Sequence, residues 1–172
     1  MQSKLVWRTS TVAVRANTDI ELVGSVRNVG ADSFRWVENK DVVALALGQA
    51  AYHKLSDGAT FENSVYQCLT ANLTCLAGIV CATDGIDSTG SNRYSFGWVQ
   101  IFGNNGSISV SGATTGGTDI ASGEFLKGAN AVSHLVRDST APTYRRTVQI
   151  LAAVTTTTTP AAGYKRGFIY CI

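Results

Sequence analysis

Apolar and polar residues alternate with a period of two along much of this chain. The clearest run is Tyr94 to Phe102 (YSFGWVQIF), where Tyr94, Phe96, Trp98 and Gln100 face one way and Gly97, Val99 and Ile101 the other. After Gly103 to Gly106 (GNNG) the alternation resumes at Ser107 to Ser111, with Ile108 and Val110 inward. A glycine-rich break between two period-two runs predicts a hairpin. Shorter runs predict strands at Val12 to Ala16, at residues 20 to 29 with Gly24 as a bulge, and around Phe34 and Trp36. A further strand or single turn is expected at Asn130 to Arg137, and strands at Tyr144 to Val154 and Tyr164 to Ile172.

Two segments resist this reading. Residues Asp41 to Lys54 (DVVALALGQAAYHK) have alanines that tolerate a helix and an Asp that can cap one, but Val43, Leu45 and Leu47 recur at two. Gly48 would cost a helix about 1 kcal/mol relative to alanine, so a strand is favoured and a short helix is the alternative. Thr155 to Thr159, five threonines closed by Pro160, has no alternation and is expected at the surface, where pairing register is weakly specified.

Composition agrees with the pattern. The 172 residues include 19 Thr, 17 Val and 9 Ile, against only five Lys and four Glu. β-Branched side chains suit a pleated surface, and the straight-chain residues that favour helices are scarce. With 17 Gly, the chain reads as an all-β fold with at most one or two short helices. We expect a single β domain over residues 16–172, a sandwich, jelly roll or distorted barrel, preceded by an arm or edge strand over residues 1–15.

Candidate chemistry is sparse. Net charge is +2, too small a bias to predict a polyanionic partner, so neither nucleic acid nor a membrane is expected. No uncharged apolar stretch reaches the roughly 18 residues of a membrane helix. The opening MQSKLVWRTS lacks the apolar core of a secretory signal, which points to synthesis in a cytoplasm. Cys68, Cys75, Cys81 and Cys171 have no C-x-x-C step, so buried thiols are favoured over zinc, with a Cys81 to Cys171 or Cys68 to Cys75 bridge as the alternative. His53 and His134 lack metal spacing, and neither a nucleophile elbow nor a phosphate loop occurs. No catalytic residue, cofactor or metal is assigned. The acidic turn Asp84 to Asp87 lacks the alternating acids of a calcium loop. Arg145-Arg146 and Lys165-Arg166 form a basic patch only if their strands pair, and neighbours on a strand point to opposite faces.

The run Gly97-Trp98-Val99-Gln100-Ile101, then Ser107 to Ala113 (SISVSGA), Gly123-Glu124-Phe125-Leu126 and Val148 to Leu151, resembles the capsid decoration, or cement, proteins of tailed bacteriophages. Leu76 to Val80 (LAGIV) resembles a segment placed upstream in those proteins. The resemblance covers roughly residues 65 to 155 and implies a virion structural role. A small β protein, usually a homotrimer, would sit on the outer capsid surface and bridge neighbouring major capsid subunits, after assembly in the host cytoplasm. Candidate contacts with the capsid or between subunits are Trp7, Arg8 and Val12 on the arm, with Arg145 and Arg146 on a late strand. Trp7 is an aromatic of the kind interfaces favour, although closing the edge of the core would serve it equally well. The alternative is a carbohydrate- or receptor-binding β-sandwich of a fibre or tail tip, which would need exposed Trp and Tyr side chains along a groove.

Overall fold

The computed structural model describes residues 12–54, 64–67, 74–88, 94–110, 120–128, 134–138, 147–151 and 163–171. Among them there is no helix, and the domain is all-β. The amino-terminal half supplies β1 (Arg15–Ala16), β2 (Val26–Val29), β3 (Asp32–Asn39), β4 (Ala50–Lys54), β5 (Ser64–Val65) and β6 (Thr74–Val80). The long β7 (Phe96–Val110) follows, and β8 (Phe125–Gly128), β9 (Leu135–Arg137), β10 (Thr147–Ile150) and β11 (Gly163–Tyr170) complete the set.

β7 belongs to two assemblies. Its first half lies in an open sheet between β3, with Trp36 opposite Trp98, and the short partners β1 and β6. Its second half pairs with β11 from Phe102 opposite Tyr170 to Val110 opposite Gly163. β11 then pairs with β10, β10 with β8, β8 with β9, and β9 returns to β7 at Val110, closing a five-stranded barrel. Of the three architectures left open by the sequence, the barrel is the one present.

The two faces of β7 explain its alternation. Phe96 and Trp98 enter an aromatic cluster with Ala16, Phe34 and Trp36, against which Val12 and Val23 also pack. Trp36 meets Trp98 edge to face at 5.2 Å and stacks on Phe96 at 6.5 Å. Val99 and Ile101 point to the other side, into a core that continues through Ile108 and Val110 to Leu126, Val148, Ile150 and Ile169 in the barrel. Burying each such side chain contributes about 1.5–3 kcal/mol.

The predicted hairpin at Gly103 to Gly106 is not there. β7 runs unbroken through that segment, because its partner is the distant β11 rather than the adjacent run. Gly103 adopts φ +106°, and the distortion is stitched over by Gln100. The Gln100 amide donates to the Phe102 and Asn104 carbonyls at 3.1 Å each, and its Oε1 accepts from Asn105 Nδ2 at 2.9 Å. Carbonyls that would otherwise favour a turn are thereby satisfied inside the strand.

Other boundaries also move. The strand expected over 20–29 begins only at Val26, but Gly24 is a bulge: its amide donates to the Trp36 carbonyl, and Trp36 N–H donates to the Ser25 carbonyl. The strand favoured over Asp41 to Lys54 is confined to β4; residues 41–49 form a loop tied by Leu45 pairing with Ile86. The late strand shows β10 within it, and the terminal strand matches β11. Cys81 carries a thiol, so the Cys81 to Cys171 bridge is not formed. Cys68 and Thr155 to Thr159 lie outside the described residues.

Candidate functional site

The register places a set of loops together at the end of the sheet remote from the barrel. β3 ends where β7 begins, with Glu38 opposite Phe96 and Asn39 N–H donating to the Ser95 carbonyl. β1 joins there, Arg15 opposite Gly97. The turn before β2 runs toward the same end, since Gly24 and Ser25 bracket Trp36. The 83–87 turn closes onto it through Asp87 N–H and the Tyr94 carbonyl, and through Leu45 with Ile86.

Three devices hold these loops. Asn39 is fully buried, and its Nδ2 faces the carbonyls of Val43 at 2.9 Å, Asp87 at 3.2 Å and Ile86 at 3.3 Å. Its Oδ1 accepts the Asp41 amide, while the Asp41 carboxylate accepts the amides of Val42 and Gln67. The loop after β3 is thus hydrogen-bonded from within, as buried polar groups require.

Arg15 is the second device. Its guanidinium meets Asp87 Oδ1 at 3.1 Å, the Asp84 carbonyl at 3.2 Å and the Asp84 carboxylate at 3.9 Å. It also lies 4.7 Å from the Tyr94 ring centroid, in cation–π range. The acidic turn noted in the sequence is therefore the counterion of an arginine some seventy residues away.

The third device is the turn at residues 19–25. Asp19 accepts Val23 N–H with one oxygen and Trp36 Nε1–H with the other, each at 2.9 Å. Ser25 donates its amide to the Leu22 carbonyl and its hydroxyl to the Glu21 carbonyl. Glu21 pairs with Arg27 at 3.1 Å, and Arg27 covers the Trp98 ring at 4.7 Å.

What these braced loops present is apolar. Val42 is 85% exposed, Leu22 74% and Tyr94 43%, with Val43 and Ile20 less so. Hydrophobic side chains on rigid, hydrogen-bonded loops are the ordinary makings of a protein contact, whereas scattered single ones need no explanation. Trp36 and Trp98 are buried, so they offer no stacking platform for a sugar. No cluster of three or more metal-ligating side chains occurs among the described residues.

The interface residues expected from the sequence fare unevenly. Val12 packs on the aromatic cluster, and the boundary drawn between residues 15 and 16 falls inside β1. Trp7, Arg8, Arg145 and Arg146 lie outside the described residues. Lys165 and Arg166 sit on β11 beside a register shift. Sequence reasoning missed Leu22, Val42 and the Arg15 clamp; the acidic turn at Asp84 to Asp87 was the one signal that pointed toward it. Comparison with known proteins finds no matching family model, no matching curated protein and no matching solved structure.

Proposed function

We propose that this chain is a capsid decoration protein of a tailed bacteriophage. It is a virion structural component that binds the outer surface of the head as a homotrimer and stabilises contacts between major capsid subunits. The observation that carries this reading is the gathering of exposed Leu22, Val42, Val43 and Tyr94 on braced loops at one end of the domain. A binder that acts through shape and apolar area needs such a surface, and it needs the loops fixed before contact so that little ordering entropy is lost on docking. The strand pattern from Leu76 through Leu151, similar to that of decoration proteins, supports the same reading.

The test is native mass spectrometry followed by co-sedimentation with expanded, undecorated heads. A trimer that pellets with heads is the expected result. A monomer that leaves them bare would overturn the proposal. A sugar-binding module of a fibre or tail tip would instead bind on a glycan array, where this chain is expected to stay silent.

A further inference from the structure

We infer that Leu22 anchors this end of the molecule to its partner, and that the partner is a protein surface offering an apolar pocket rimmed by lysine or arginine. The inference rests on the reading of the chain as a decoration protein.

Leu22 has φ +69°, the sole positive value at a non-glycine position among the described residues. An L-residue held there costs about 1–2 kcal/mol, and a branched apolar one has no local hydrogen bond to offset it. Glycine or asparagine would take the same turn more cheaply. Within the chain the leucine gains little, being 74% exposed. The backbone is nevertheless held in place by Asp19 on Val23, Ser25 on both Leu22 and Glu21, and Arg27 on Glu21. Strain that the surroundings over-determine is characteristic of contact and ligand-binding positions. The side chain stands out as a knob whose orientation is set beforehand, with Ile20 and Val26 as further exposed apolar groups beside it in sequence.

Charge selects the occupant. Around this end lie six acids, Asp19, Glu21, Glu38, Asp41, Asp84 and Asp87, against four bases, Arg15, Arg27, Arg35 and Lys40. Among the described residues the end carries two negative charges in excess, although the whole chain is +2. Two copies meeting through this same end would bring like charges together, whereas a partner with a basic rim gains from complementarity and from faster encounter.

The experiment measures attachment of Leu22→Asn and Leu22→Gly trimers to undecorated heads, alongside their Tm and oligomeric state. Leu22→Asn should keep or raise the Tm, because asparagine tolerates positive φ, while attachment weakens about tenfold or more, as for an interface hot spot. A residue with a merely structural role would shift Tm and leave attachment alone. Should Leu22→Asn lower the Tm, Leu22→Gly decides instead, since glycine takes φ +69° without strain while removing the same side chain, and it should weaken attachment about tenfold or more. Wild-type attachment should also weaken as salt rises. Undiminished attachment by the variant that decides would remove the anchor and leave the decoration reading intact, and salt-insensitive attachment would remove the basic rim. Loss of the trimer in Leu22→Asn would show that the occupant is a second copy and overturn the inference. A wild-type protein that ignores heads would sink the decoration reading and this inference with it.

Discussion

The carboxylate of Asp32 rests against the bare Cα of Gly103 and accepts the Asn104 amide at 3.0 Å. This contact sits where β7 passes from the open sheet into the barrel. Gly103→Ala would add a Cβ into the Asp32 side chain and demand φ +106° of alanine. The expected loss is about 2–4 kcal/mol, combining backbone strain and overpacking. Chemical denaturation measures it, and Asp32→Ala in the same chain should recover part of the loss, a coupling that a double-mutant cycle resolves.

Asn39→Ala removes the buried amide that faces three carbonyls and the oxygen that accepts the Asp41 amide. Those groups stay enclosed without their partner, at a cost of about 2–3 kcal/mol. Hydrogen exchange should quicken at the amides of residues 41–45 well before it does in β7. Equal protection in both proteins would show that the loop does not depend on Asn39.

Arg15→Ala should lower stability by about 1 kcal/mol, the usual sum for one partly exposed ion pair and a cation–π contact. The difference from wild type should shrink in about 1 M salt, where the Debye length falls to about 3 Å. Denaturation midpoints at low and high salt test this. A salt-independent difference would assign the effect to lost packing on Tyr94.

Two groups shape the pH profile. Burial, with a further push from the Asp32 charge and a pull back from the Gln100 backbone, raises the Cys81 thiol from 9.0 to about 12. The folded state then holds a proton that the unfolded chain releases, so this stability is intact below pH 9 and is lost as pH rises toward 12. Burial lowers His134 below its ordinary 6.5, so its contribution is present above 6.5 and is lost on acidification. A plateau between those limits is expected, with Cys81→Ala flattening the alkaline fall. The Cys81 thiol should also resist alkylation at pH 8 until the protein unfolds, because the thiolate is the reactive form.

Much of the fold is legible in residue types alone. The alternation of Phe96, Trp98, Val99 and Ile101 reports both faces of β7, because each face is buried in a different cluster. Gly24 marks its bulge for the reason the sequence suggests, a positive φ within a strand pattern. The segment Gly103 to Gly106 misleads because glycine's freedom serves a bend as well as a turn. Which of the two forms is decided by Gln100 above it and by β11, whose register no local window contains. The site was harder to read for the same reason. Arg15 and Asp87 meet across 72 positions, and the strain at Leu22 arises from hydrogen bonds to Asp19 and Ser25 rather than from its own preference.

The sharing of β7 also sets a schedule for synthesis. The partners of its second half lie far downstream, Gly163 for Val110 and Tyr170 for Phe102. At roughly 5–20 residues per second, the ribosome emits that half several seconds before the strand that will cover it. Throughout that interval a nascent chain carries an open hydrogen-bonding edge beside Ile108 and Val110. Other nascent copies on the same message offer the matching strand, so pairing between neighbouring chains competes with closure of the native barrel until β11 has emerged.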